Sequence, residues 1–183
     1  LRHVGLEQLR APPAVIGLHH FLHHIVQQAS QHHFLVRAAD DEDLFIIAHA
    51  TPNVDYLTFH LWPSNWSWMD HHDPAARMDT GLATSLAYID RHIDIANKLG
   101  MPIVLSEFGL NRDKGSYDPA SSVTARDQFY RAIYARLLER ASAGDAIAGS
   151  NFWAWGGRGR TTNADWMWKA GDPFTGDPPQ EAQ

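Results

Sequence analysis

Cysteine is absent from this 183-residue chain, which excludes disulfide bonds and thiolate chemistry but leaves the cellular compartment open. No apolar run approaches the roughly 18 residues of a membrane-spanning helix. Basic residues are also few: 15 Lys and Arg face 21 Asp and Glu, and the formal net charge of −6 argues against nucleic acid or a membrane surface as partner. The first residues lack the apolar segment of a signal peptide, and the chain starts with Leu, so we expect the natural N-terminus to lie upstream.

Tryptophan, in contrast, is plentiful. Groups of indoles are typical of proteins that stack on flat apolar faces such as sugar rings, although a single Trp more often fills a core. The 7 Trp fall into three groups, which are Trp62, Trp66 and Trp68, then Trp153 and Trp155, then Trp166 and Trp168. Hydrophobic residues make up 44% of the chain, which is ordinary for a globular domain with its own core.

The chain from residue 54 onward alternates between strand-like and helix-like patterns. Strands that alternate with amphipathic helices form parallel sheets, so the predicted fold class is α/β, and both an open sheet and a closed barrel fit the pattern. Strands are predicted at residues 54–62, 103–105 and 147–155, and helices at residues 79–99 and 124–142. Less regular patterns predict helices at residues 18–30 and 43–50, a strand at 34–36 and a surface extension at 166–183.

The two long helices carry end signals. Asp79 or Thr80 is predicted to cap the first helix, and Thr124 with Asp127 has capping-box spacing at the start of the second. Gly100 is predicted to end the first helix. The predicted apolar stripes are Leu82, Leu86, Ile89, Ile93 and Ala96 in the first helix and Phe129, Ile133 and Leu137 in the second.

Glu107 is the strongest candidate for a catalytic residue. It follows a short apolar strand, where burying a carboxylate costs several kcal/mol unless it is hydrogen-bonded or functional. In parallel α/β folds, active sites are built at that end of the strands. The structural alternative is a side chain that anchors the following loop by accepting main-chain N–H bonds.

Other polar and aromatic side chains recur at the same end of the neighbouring predicted strands. His60 and Trp62 share one face of the first strand, while Asn151, Trp153 and Trp155 share a face at the corresponding end of the third. A lone histidine is more often a satisfied core residue. Three successive strands that each deliver such groups to one edge nevertheless indicate a functional mouth.

Three motifs and a tail carry a resemblance to a known family. The segments VDYLTFHLWPSNW, PIVLSEFGLNRD and SNFWAWGGRGR, with the tail WKAGDPFTGDPPQEAQ, resemble glycoside hydrolase family 5 and, within it, the endo-β-1,4-mannanases. The resemblance implies a (β/α)8 TIM barrel of which this chain holds the C-terminal part, about strands five or six to eight. It implies one partial catalytic domain over residues 1–183, in which 1–42 match poorly, 43–165 carry strands six to eight and 166–183 form an extension.

The resemblance also implies roles for individual residues. Glu107 matches the family's nucleophile, Trp153 matches the aromatic platform under the sugar at the cleavage point, and His60 matches the sixth-strand histidine. Trp62 stands where many members have tyrosine, so a hydrogen bond from this position to Glu107 would come from an indole N–H with a different reach. The predicted substrate-binding residues are His60, Trp62, Trp66, Trp153 and Trp155.

A retaining glycosidase needs a second carboxyl group about 5–5.5 Å from the nucleophile as acid/base. In the resembled family this is a Glu preceded by Asn, but no Asn in this chain is followed by Glu, and the surroundings of Glu7 do not match. The resemblance implies cleavage of internal bonds in β-mannan, glucomannan or galactomannan. Because the acid/base residue is missing, we expect no hydrolysis by this chain alone. The resemblance implies no metal or organic cofactor, and it implies secretion of the full-length protein.

Two other functions stay open. The chain could be a non-catalytic polysaccharide-binding remnant that keeps its tryptophans. It could also be a metal-binding protein, because His19 with His23 and His20 with His24 have the spacing of a helical metal clamp. No carboxylate or cysteine nearby completes a metal shell, which favours a solvated histidine face.

Overall fold

The computed structural model describes residues 42–49, 51–154 and 161–172. The helix predicted near residue 43 is present as α1 (Glu42–His49). The predictions for residues 18–30 and 34–36, and the histidine pairs within them, lie outside the described residues, as does most of the predicted tail. No described helix has both the length and the apolar character needed to cross a membrane.

Three parallel strands form the centre of the described fold, in the order in which they occur along the chain. They are β1 (Leu57–Leu61), β2 (Ile103–Phe108) and β3 (Ile147–Phe152). The prediction of a parallel α/β sheet is therefore confirmed. β1 is shorter than predicted because the N–H of Val54 bonds back to Thr51 in a turn, and the ladder begins where Leu57 bonds to Pro102.

Two long helices connect the strands, α2 (Met78–Leu99) and α3 (Thr124–Ser142). Gly100 ends α2 with φ 65, the left-handed conformation that glycine adopts without strain, as predicted. The predicted N-caps are wrong. The residue before α2 is Arg77 and the residue before α3 is Val123, and neither makes a side-chain cap.

The start of α3 is capped from a distant loop instead. The carboxylate of Asp113 accepts the N–H groups of Thr124 and Ala125, both at 3.0 Å, and the hydroxyl of Ser122. Desolvation opposes the charged form, but these hydrogen bonds outweigh it and hold the pKa of Asp113 below its usual value. Asp113 thus satisfies the free N–H groups that a helix start leaves exposed.

The core lies between the sheet and the two helices. β1 contributes Leu57, Phe59 and Leu61, and the predicted stripe of α3 is fully buried. On α2, Ile89, Ile93 and Ala96 are buried as predicted, whereas Leu82 and Leu86 are only half-buried. The positions that pack inward include Gly81, Ser85, Tyr88 and His92, and the His92 ring stacks on Phe59 at 4.8 Å.

A charged cluster fastens the end of the sheet where the strands begin. Arg140 near the end of α3 reaches the carboxylates of Asp90 and Asp94 on α2, and that of Asp145 just before β3. The Asn97 side chain also donates to Asp145, at 2.7 Å. The cluster ties both helices to the amino end of β3.

Candidate active site

Glu107 owes its position to an extra residue in β2. The strand pairs with β1 through Phe59 opposite Leu105 and then His60 opposite Glu107, so Ser106 has no partner position in β1. The Ser106 hydroxyl donates to the carbonyl of Phe59 at 3.2 Å and anchors this bulge to the neighbouring strand. Bulges of this kind re-aim side chains and occur often beside active sites.

The bulge changes which face of the sheet each side chain occupies. Leu105 and Phe108 are both fully buried although they are three positions apart, whereas strict alternation would bury Glu107 together with Leu105. The pairing of β2 with β3 is irregular at the same place. Leu105 pairs with Ser150 and Phe108 with Phe152, so three steps along β2 correspond to two along β3. The extra residue therefore keeps the Glu107 carboxylate out of the apolar core.

The carboxylate of Glu107 lies against the imidazole of His60. Nδ1 of His60 is 3.3 Å from Oε2 of Glu107, within ion-pairing distance. The two side chains are 49% and 34% exposed, so both are accessible from solvent at the open face of the sheet. The sequence prediction of these two residues at one edge thus corresponds to a direct contact.

Two indoles lie at the same end of the sheet. Trp62 follows β1 and Trp153 follows β3, and their rings meet edge to face with centroids 6.2 Å apart. The N–H of Trp153 donates to the carbonyl of Phe108 at 2.8 Å, which places Trp153 beside the residue that follows Glu107. The peptide bond from Trp153 to Ala154 is cis.

The remaining predicted tryptophans do not join this pair. The ring of Trp66 contacts those of Trp68 and Tyr88, at 4.8 and 5.2 Å, and so packs towards α2. Trp155 lies outside the described residues. A substrate contact by either one stays a prediction.

The loop after β1 is fastened by a buried side chain that follows β2. Asn111 is 4% exposed and donates to the carbonyl of His71 at 3.2 Å. Asp70 accepts the N–H groups of Asp73 and His72, and these two bonds lower the pKa of its carboxyl group. The segment from His71 to Asp73 is exposed.

Asn111 and Tyr130 are absent from the residues predicted from sequence. Tyr130, on the first turns of α3, donates its hydroxyl to the Trp153 carbonyl at 3.2 Å. Its only signal in the sequence is its position beside Phe129 in the apolar stripe. Asn111 has no signal beyond its place within the NRD end of a motif, because the loop that it holds is distant along the chain.

The described residues contain no group of three or more His, Asp or Glu side chains arranged to hold a metal ion. Within this part of the chain, His60 and Glu107 have no third His, Asp or Glu side chain close enough to complete a metal site with them. The arrangement suits direct chemistry on a ligand by a solvent-accessible carboxylate. The two nearby indoles offer flat apolar surface beside it.

Side chains gathered at the carboxyl ends of parallel strands, with helices on the other face, are typical of α/β enzymes, and the described sheet fits a part of a (β/α)8 barrel. The model of glycoside hydrolase family 5 beta-mannosidase-like proteins matches residues 22–183. The chain therefore belongs to glycoside hydrolase family 5.

Individual relatives agree with this assignment. Mannan endo-1,4-beta-mannosidase 7 of Arabidopsis thaliana is 32% identical over 110 residues, which are 60% of this chain and 23% of that protein. Mannan endo-1,4-beta-mannosidase 1 of Oryza sativa subsp. japonica is 33% identical, again over 60% of this chain and 23% of that protein. This chain thus spans about a quarter of the length of the curated relatives it matches.

A solved structure shows the same fold. The glycoside hydrolase family 5 mannosidase from Rhizomucor miehei superposes with a TM-score of 0.64 at 32% identity, over 78% of this chain and 35% of that enzyme. A variant of that enzyme in complex with mannosyl-fructose superposes with a TM-score of 0.65. The parallel sheet is therefore part of a family 5 barrel, as the sequence resemblance implied.

Proposed function

We propose that Glu107 is the nucleophile of a retaining β-mannoside hydrolase. In the first step an oxygen of Glu107 forms a bond to the anomeric carbon while the bond to the leaving oxygen breaks, and a second carboxyl group protonates that oxygen. In the second step water, deprotonated by the second group, attacks the same carbon and releases Glu107. His60 orients the nucleophile, and Trp153 and Trp62 bind the sugar ring.

The observation that carries this proposal is the contact between Glu107 and His60 at 3.3 Å on the accessible face of β2, beside the Trp62–Trp153 pair. A solvent-accessible carboxylate beside apolar aromatic surface matches what attack on a sugar carbon requires. A carboxylate that merely anchored a loop would accept main-chain N–H bonds, as Asp113 does.

The second carboxyl group is proposed to come from outside the described residues. Several described carboxylates have structural partners: Asp113 caps α3, Asp70 closes its turn, and Asp145 binds Arg140. The described sheet has three strands, whereas a closed barrel of this class has about eight. We accordingly propose that the 183-residue chain does not hydrolyse mannan by itself.

The proposed substrates are β-1,4-mannans, including glucomannan and galactomannan, and the complete protein is proposed to act outside the cell. The names of the plant relatives and the mannosyl-fructose bound to the Rhizomucor miehei variant support a mannose-containing ligand. We propose that the three described strands are the sixth, seventh and eighth of the barrel.

A test must separate the nucleophile from the missing acid. A β-mannosyl fluoride whose hydroxyl next to the anomeric carbon is replaced by fluorine needs no acid, because fluoride leaves unassisted, and its glycosyl–enzyme bond is slow to hydrolyse. We expect one fluoromannosyl group on the wild-type chain by intact mass, on the peptide that contains Glu107. Glu107→Gln should abolish this label.

Glu139→Gln is the matched control, since Glu139 is 67% exposed on α3 and should leave the labelling unchanged. A wild-type chain that binds mannan oligosaccharides but acquires no label would contradict the catalytic proposal and favour the binding remnant. Turnover of galactomannan by the purified chain would refute the proposed inactivity.

A further inference from the structure

Hydrogen bonds hold the main chain of Trp153 at both its N–H and its carbonyl group. The residue lies just beyond the end of β3 at Phe152, where the regular ladder of the sheet has stopped. Its N–H donates to Phe108 at 2.8 Å, and its carbonyl accepts the Tyr130 hydroxyl at 3.2 Å. Of these two restraints, only the second comes from a side chain, so it is the one that a substitution can remove.

The position of the Tyr130 hydroxyl is itself fixed by ring packing. The Tyr130 ring contacts those of Phe108 and Phe129 at 5.4 and 5.8 Å, and that of Phe152 at 6.4 Å. These contacts connect α3 with the ends of β2 and β3. The rings leave the hydroxyl a narrow range of positions, and within that range it meets the Trp153 carbonyl.

The hydroxyl also stays protonated. Burial raises the pKa of Tyr130 to about 12, so the O–H group remains a donor throughout the range in which the protein would act. The Trp153 carbonyl, which has no proton to give, is the acceptor in this hydrogen bond.

We propose that Tyr130 is a positioning residue for the sugar site, because its hydroxyl fixes the backbone of Trp153 and thereby the indole on which a mannosyl ring stacks. The inference rests on the proposed function for the nature of the ligand. The Trp153 ring meets Trp62 edge to face at 6.2 Å, so a displaced Trp153 also changes the geometry of this pair.

Tyr130→Phe tests the proposal because phenylalanine keeps the ring contacts and removes only the hydroxyl. Tyr134→Phe is the matched control, since Tyr134 is one helical turn further along α3 and its hydroxyl has no hydrogen bond among the described residues. The rate of labelling by the fluoromannosyl fluoride gives KI for binding and kinact for attack. We expect KI of Tyr130→Phe to rise about fivefold, the value of one net hydrogen bond, with kinact within about twofold of wild type.

A second readout is independent of any reaction. Two indoles in van der Waals range couple their electronic transitions, and this coupling gives a paired circular dichroism band. Trp66 and Trp68 form a second indole pair with centroids 4.8 Å apart, so the part of the band that Trp153→Phe removes is assigned to the Trp62–Trp153 pair. We expect that part to weaken in Tyr130→Phe and to persist in Tyr134→Phe, while the melting temperature of Tyr130→Phe falls by only about 2–4 °C.

Unchanged KI and an unchanged band in Tyr130→Phe would overturn the proposal, and so would a lower melting temperature alone. Equal effects of Tyr134→Phe would also overturn it, because they would reflect α3 as a whole. If the wild-type chain takes no label, the proposed hydrolase chemistry fails, and the dichroism band alone decides whether Tyr130 positions Trp153.

Discussion

His60 lies opposite Glu107 because Ser106 is an additional residue in β2 that no residue of β1 matches. Up to Leu105, alternate residues of β2 face the helices, and after Ser106 the phase of alternation is reversed, so Phe108 faces them too. The catalytic chemistry proposed for this chain therefore depends on a local irregularity in a strand.

Deletion of Ser106 should be tolerated. Without it, Leu105, Glu107 and Phe108 would follow regular alternation and keep their present partners in β1 and β3. We expect the free energy of unfolding to fall by about 1–2 kcal/mol, mainly because the hydrogen bond from Ser106 to Phe59 is lost.

Deletion of Val104 is the matched control. It should cost about 3 kcal/mol or more, because it moves Leu105 to the accessible face or Ser106 into the core. Urea denaturation of both variants measures the difference. Equal losses would show that the register does not follow the pairing described here.

Trp66 and Trp153 should separate stability from binding. Trp66 packs on Trp68 and Tyr88, so Trp66→Ala should lower the free energy of unfolding by about 1–3 kcal/mol and leave the KI of labelling unchanged. Trp153→Ala should raise KI about tenfold, because it removes the surface proposed to stack on the sugar. A rise in KI for Trp66→Ala would instead place Trp66 in the substrate site, as the sequence predicts.

Asp113 should make the start of α3 sensitive to acid. Its folded-state pKa is lowered, so the stability that it contributes is present above the unfolded value of about 3.9 and is lost as pH falls through the folded-state value. Asp113→Asn should cost about 1 kcal/mol near neutral pH, the typical value of a cap. The stability difference between Asp113→Asn and wild type should shrink as the pH falls below about 3.9.

Urea denaturation across this pH range measures the effect. Asp127→Asn is the control, since Asp127 also lies in the first turn of α3 but its carboxylate accepts no hydrogen bond among the described residues. A difference for Asp113→Asn that is independent of pH would contradict the capping role.

The repeating patterns of the sequence predicted the strands, both long helices and the edge at which Glu107, His60, Trp62 and Trp153 lie. These features follow from local periodicity and from the rule that parallel strands end together. The cap by Asp113 was missed because it comes from 11 residues before the helix, where no local spacing rule applies. The extra residue in β2 was missed because a bulge is defined by the partner strands, which a single segment does not reveal.

Two of the five positions predicted for the buried face of α2 were misplaced for a related reason. Leu82 and Leu86 satisfy helical spacing, but the face that packs inward is set by the aromatic rings that meet Tyr88 and His92. A Cβ on Gly81 would lie 2.3 Å from Met69, so a glycine at this position lets the loop after β1 pack closely against α2. Such packing depends on which element arrives from elsewhere in the chain.

The Arg140 cluster lies where the strands begin, and Glu107 lies where they finish. In barrels of this class, residues at the amino ends of the strands contribute to stability, and residues at the carboxyl ends contribute to catalysis. Heat tolerance could therefore be engineered around Arg140, by charge substitutions on α2 and α3, with little risk to ligand selectivity. Among related chains, amino-acid substitutions at the amino ends of the strands should likewise occur independently of those at the carboxyl ends.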